Sequence, residues 1–124
     1  MSIKIRSAKN KGMRLQKWVC SKISKLIGIG YNQQDDLCLI HSRESGLSGV
    51  DIILRGNALK TFPYSIECKS SEQLNLLKTI QQAKSNRIEG TDWLIVYKRK
   101  AFKKPIVIMD WYTFEKLIES RSYV

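Results

Sequence analysis

Histidine, proline, cysteine and acidic residues are all scarce in this sequence, and each shortage closes off a class of function. There is one histidine, His41, and the three cysteines, Cys20, Cys38 and Cys68, stand far apart with no CxxC pair. That combination argues against a structural zinc site, which needs four closely spaced sulfur or imidazole ligands. An odd, scattered set of thiols reads instead as small buried hydrophobes in a reducing compartment. Two prolines, Pro63 and Pro105, leave no proline-rich linker, and no internal repeat or low-complexity stretch breaks the chain. No window holds the roughly 20 apolar residues a membrane span requires. The charged N-terminus has no apolar run behind it that could act as a signal peptide. These absences predict a soluble, intracellular, single domain over residues 1–124, with 43% hydrophobic residues to fill one core.

Eleven acids face twenty-two lysines and arginines, a formal charge of +11. Eight basic residues fall between Lys4 and Lys25, before the first acid at Asp35, and Lys98, Arg99, Lys100, Lys103 and Lys104 form a second cluster. Charge this one-sided concentrates a polyanion near the surface and speeds its capture, which points to nucleic acid as partner. Arg14, Lys17 and Lys22 in the first cluster, with Lys98, Arg99 and Lys100 in the second, are the candidates for contacts to a phosphate backbone. Such contacts position a nucleic acid without reading its sequence.

The pattern of apolar residues predicts an α/β domain. Leu15, Trp18, Val19, Ile23, Leu26 and Ile27 recur at helical spacing over residues 11–27, with Gly28 as a stop. Three strand-like runs follow, at 37–41, 50–54 and 64–69, separated by turns marked by Gly46, Gly49, Gly56 and Asn57. Ser70-x-x-Gln73 reads as a capping box opening a helix over 72–88, with Leu74, Leu77, Ile80 and Ala83 on its apolar side. Strands at 93–97 and 106–109 and a helix at 111–118 complete the order α-β-β-β-α-β-β-α. A meander followed by a helical crossover implies a central mixed β-sheet flanked by helices.

Asp51 interrupts an aliphatic strand, V-D-I-I-L, and Glu67 and Lys69 interrupt the next, Y-S-I-E-C-K. Side chains alternate along a strand, so Tyr64, Ile66 and Cys68 share one face, and Ser65, Glu67 and Lys69 share the other. Antiparallel pairing of the two strands would make the Asp51 and Glu67 carboxylates converge beside Lys69. Converging carboxylates suit a hard divalent cation such as Mg²⁺, and the backbone carbonyl of Cys68 could complete its shell. Such a metal lowers the pKa of a bound water, and a lysine can orient that water or stabilise an anionic transition state. The bland alternative is a neighbouring Glu67–Lys69 pair on a solvated strand face, with Asp51 at a frayed strand start.

The segments S-G-V-D-I-I-L and P-Y-S-I-E-C-K resemble the PD-(D/E)xK nuclease superfamily, in particular small phage-encoded nucleases and proteins like Holliday junction resolvases. The similarity runs on through Glu72-Gln73-Leu74-Asn75, Gln82-Ala83, W-L-I-V-Y-K-R-K and P-I-V-I-M-D. It implies a restriction-endonuclease-like core, metal held by Asp51 and Glu67, and hydrolysis assisted by Lys69. It further implies an Mg²⁺-dependent endodeoxyribonuclease, with Mn²⁺ as a substitute, acting on branched or duplex DNA in recombination. The cytoplasm of a bacterium or phage-infected cell is the location it implies. One departure is plain: where many members carry a metal-binding glutamate in the first helix, this chain has Gln16. Glu44 is a candidate replacement, and a solvated loop charge is its plainer reading.

Several further residues carry two readings. Gln82 is a candidate for substrate contact or an ordinary solvent-facing polar group, and Ser45 and Ser48 are either phosphate donors or turn residues. Glu72 favours a helix N-terminus by charge–dipole attraction. His41 reads as structural, and Trp93, Trp111, Tyr97 and Tyr112 as core or interface residues. A resolvase would act as a homodimer, since cutting two strands symmetrically needs two sites. A DNA-binding protein that keeps the fold without catalysis, and an RNA-processing nuclease, are the alternatives. The first is disfavoured because two unneutralised acids would repel phosphate.

Overall fold

The computed structural model describes residues 3–44 and 47–122. Their order is α1 (Ile3–Ile27), β1 (Ile40–Ser42), β2 (Ile52–Leu54), α2 (Gly56–Thr61), β3 (Tyr64–Ser70), α3 (Leu76–Asn86), β4 (Asp92–Lys98), β5 (Ile106–Ile108) and α4 (Trp111–Ser122). β3 and β4 run parallel, with Tyr64 beside Asp92 and Glu67 beside Ile95, and β5 pairs antiparallel to β4. This three-stranded sheet is therefore mixed, as the crossover pattern predicted. β1 and β2 form a separate antiparallel pair, with His41 opposite Ile53.

Helices cover both faces of the mixed sheet. On one, Leu15, Val19, Cys20 and Ile23 of α1 pack with Ile66, Leu94 and Val96, and with Ile40, Ile52 and Leu54 of the small sheet. On the other, Trp93, Ile95 and Tyr97 pack with Ala83 and Ile80 of α3. Each fully buried aliphatic side chain contributes roughly 1.5–3 kcal/mol, so the larger first cluster dominates the core. Gly28, at φ 71°, ends α1 where the sequence predicted, its N–H donating to the Ser24 carbonyl.

Five expectations change, the first being that Leu77, expected on the apolar side of α3, is 70% exposed. The stretch after β2, read as a turn at Gly56 and Asn57, is the six-residue helix α2, whose Ala58 is fully buried. α3 begins at Leu76 rather than residue 72, because Ser70 is still paired in β3, and Asn75 is the N-cap, its side chain accepting from the Lys78 N–H at 3.1 Å. Leu37, expected within the first strand, is 89% exposed and lies ahead of it. On α1, Trp18 and Leu26 leave the core stripe, 43% and 75% exposed, because the sheet beneath is covered by Leu15, Val19, Cys20 and Ile23. Trp93 and Tyr97 are core residues as expected, whereas Trp111 and Tyr112 of α4 are exposed. Among the described residues no helix is long and apolar enough to cross a membrane.

Candidate active site

The two interrupting acids meet by a route the sequence did not suggest. β2 pairs with β1 and not with β3, so the expected antiparallel ladder between the two acid-bearing strands is absent. Asp51 lies one residue before β2, against the edge of β3 that faces away from β4. Its backbone N–H donates to the Ile66 carbonyl at 3.1 Å, and its Oδ2 accepts the Cys68 N–H at 2.7 Å. One carboxylate oxygen thus stands where a neighbouring strand's carbonyl would be. Gly49, at φ 108°, gives the turn just before Asp51 a backbone conformation that side-chain-bearing residues rarely adopt.

Glu67 and Lys69 lie on the face of β3 that α3 covers, since their partners in register are Ile95 and Tyr97 of the second cluster. α3 is fixed there by Ser65, whose Oγ accepts the Ile88 N–H at 2.9 Å and lies 2.6 Å from the Thr91 hydroxyl. That anchor brings Asn86, the last residue of α3, into a side-chain hydrogen bond with Glu67. Asp51 and Glu67 are 3% and 4% exposed, which rules out the solvated-face and frayed-end readings. Lys69 is half-buried beside them.

Burial pushes the Glu67 carboxyl up to about 7 from its ordinary 4.5, and the nearby charge of Asp51 adds to the shift. The Asn86 hydrogen bond and the charges of Lys69 and Arg43 work in the opposite direction. Arg43 closes the site. Its Nη2 donates to Asp51 Oδ1 at 2.5 Å, its Nε donates to the Val50 carbonyl at 3.1 Å, and its own N–H donates to the Asp51 carbonyl at 2.8 Å. Sequence reasoning missed both Arg43 and Asn86. Arg43 follows the first strand directly, and a hairpin register would have placed it opposite Asp51; nothing in the sequence marks Asn86 beyond its place near a helix end.

Of the other predicted residues, the structure gathers some and leaves others apart. N–H and C=O of one residue point the same way along a strand, so the Cys68 carbonyl lies on the β3 edge that carries Asp51. Its thiol is pushed well above the ordinary range by burial and interacts with the Cys20 thiol, itself raised to about 12 by burial. Gln16 sits one helical turn before Cys20, and its side-chain oxygen is buried with no hydrogen-bond partner. Glu44, Ser48 and Gln82 are exposed, and Ser45 lies outside the described residues. His41 is structural, its ring Nε2 2.7 Å from the Asp35 carbonyl. Glu72 does not open α3; it holds the β4–β5 turn, accepting the Lys100 N–H at 3.0 Å and pairing with Arg99 at 3.5 Å.

The two basic clusters, far apart in sequence, line one open groove of about 950 Å³ beyond the end of β3. Lys11 and Arg14 of α1 form one wall with Trp18, and Lys98 at the end of β4 with Arg99, Lys100, Lys103 and Lys104 of the β4–β5 turn form the other. Lys17 and Lys22 stand outside it, Lys22 with its ammonium 5.4 Å from the Trp18 ring centre. Compared with known families, curated proteins and solved structures, the chain matches none.

The donor set fits a divalent cation of oxygen preference. Two buried carboxylates, one of them raised by burial and further by the other's charge, lose that repulsion when a cation lies between them. Among the described residues no three His, Cys, Asp or Glu side chains gather, so further ligands would be neutral oxygens. The Cys68 carbonyl and the orphaned Gln16 amide oxygen are of that kind.

Proposed function

We propose that this chain is a metal-dependent endonuclease of the PD-(D/E)xK kind, hydrolysing DNA phosphodiester bonds with preference for branched DNA such as Holliday junctions. The observation that carries the reading is the burial of Asp51 and Glu67 side by side, with the Glu67 carboxyl near 7. Buried like charges cost stability, and perturbed carboxylates of this sort cluster at functional sites.

Asp51, Glu67 and the Cys68 carbonyl would hold Mg²⁺ or Mn²⁺, with Gln16 as a further neutral ligand. The metal supplies Lewis acidity and a bound water of lowered pKa. Lys69, on the Glu67 face, steadies the attacking water or the negative charge that grows on the phosphate. As a ligand Glu67 would be ionised, and Asn86, which favours the charged carboxylate, would help hold it in place. Arg43 neutralises Asp51 in the absence of a cation. A homodimer would present two such sites to a four-way junction.

One observation favours the non-catalytic alternative. Both Asp51 oxygens already have protein partners, Arg43 and the Cys68 N–H, so Asp51 also serves as a clip joining β3 to the chain before β2. An RNA substrate would use the same chemistry. The deciding experiment incubates the protein with Mg²⁺ or Mn²⁺ and matched single-stranded, duplex, flap and four-way-junction DNAs, alongside Asp51→Asn, Glu67→Gln and Lys69→Met. Each variant is expected to lose on the order of 10²–10³ in rate. If any two cut at the wild-type rate, the assignment is wrong.

A further inference from the structure

The groove beyond β3 combines two chemistries that seldom share a surface. Its rim is cationic: Lys11 and Arg14 on one side, Lys100, Lys103 and Lys104 on the other. Its one acid, Glu72, is already paired with Arg99. Its wall on the α1 side is apolar and aromatic, because Trp18 is turned away from the core and 43% exposed there.

A duplex offers such a groove only its phosphates, since its bases are stacked on one another. A single strand offers phosphates to the rim and unstacked base faces to the indole. We infer that this groove is a binding site for a single-stranded stretch of DNA, with the backbone between the two lysine-rich walls and a base stacked on Trp18. The ammonium of Lys22 lies over the indole, 5.4 Å from the ring centre, so a base would stack on the opposite face of the ring.

The site's position gives it a use. Ser70 and Ser71 line the groove, and Lys69 immediately precedes them. Glu67 stands three residues before Ser70, so roughly 10 Å of extended strand separates groove from carboxylates. A flap or an unpaired arm seated in the groove delivers the adjoining phosphodiester to Asp51 and Glu67. This delivery rests on the nuclease reading, whereas binding in the groove does not.

The test measures binding in EDTA, where no cleavage occurs. Fluorescein-labelled oligo(dT) of about twelve nucleotides and a duplex of equal length are titrated with wild type, Trp18→Ala, Trp18→Phe and the double variant Lys103→Gln/Lys104→Gln, read by anisotropy. The expected pattern has oligo(dT) bound more tightly than duplex by wild type. Trp18→Ala weakens oligo(dT) about tenfold or more with duplex unchanged, since stacking on an aromatic side chain is of that size. Trp18→Phe, which keeps a ring, retains most of the affinity and shows that folding is not the cause. The double lysine variant lowers the salt slope of oligo(dT) binding by about 1.4, at roughly 0.7 per phosphate contact on a single strand. Equal oligo(dT) affinity in Trp18→Ala, or a wild-type preference for duplex, overturns the inference. A protein that shows this pattern but never cuts keeps the groove assignment and loses the nuclease one.

Discussion

Replacing Glu67 by glutamine should stabilise the metal-free protein, and only above a defined pH. The carboxyl is raised from 4.5 to about 7, so between those values the folded state keeps a proton that the unfolded chain releases. Stability therefore falls as pH rises through this window, is fully reduced above about pH 7, and is unaffected below about 4.5. A shift of this size corresponds to about 3 kcal/mol. Glutamine has nearly the same shape, carries no charge and can still accept the Asn86 hydrogen bond, so it removes the deficit without opening a cavity. In urea unfolding with EDTA present, Glu67→Gln should exceed wild type by about 3 kcal/mol at pH 8 and by almost nothing at pH 4.5. With saturating Mg²⁺ the order at pH 8 should reverse, because wild type then gains binding energy that the amide cannot match. A gain that is the same at both pH values, or a loss at pH 8 in EDTA, would refute the claim that burial beside Asp51 holds this carboxyl near neutrality.

Other perturbations follow from the same geometry. Asp51→Ala leaves the Arg43 guanidinium and the Cys68 N–H without their acceptor and should cost about 3 kcal/mol or more in denaturant unfolding, whereas Asp51→Asn, which keeps an acceptor for Cys68, should cost clearly less. Gln16→Glu places an anion where the orphaned amide oxygen lies; a lower Mg²⁺ midpoint for cleavage or calorimetric binding would place α1 at the metal, and an unchanged midpoint would remove it. Mg²⁺ binding near pH 7 should release about half a proton per site as Glu67 ionises, read by calorimetry in buffers of different ionisation enthalpy; release of none would detach Glu67 from the metal. Asn75→Ala should lower stability by about 1 kcal/mol through loss of the α3 cap, a change that Ser70→Ala should not reproduce if Asn75 is the cap.

Period and spacing in the sequence were enough to place the elements that bury a clear stripe. α1, β3, β4 and the mixed sheet between helices all follow from where Leu15, Val19, Ile23, Ile66, Ile95 and Val96 fall, because alternation and helical recurrence are local properties of the backbone. Asp51, Glu67 and Lys69 were legible for a related reason: a charge inside an apolar run is conspicuous wherever the run folds. How the two acids meet was not legible. Local pattern carries no information on which strand pairs with which, and β2 satisfies its hydrogen bonds with β1 while Asp51 reaches β3 through a side-chain oxygen. Arg43 and Asn86 enter the site only because a strand end and a helix end are brought beside Asp51 and Glu67 by packing far along the chain. The raised Glu67 carboxyl has the same origin, since desolvation and the charge of Asp51 depend on three-dimensional surroundings. The two basic clusters are visible in the sequence as charge, but more than seventy residues of chain separate them. Only folding, by laying α1 against the β3 end of the sheet opposite the β4–β5 turn, joins them into one groove and turns Trp18 out of the core to line it.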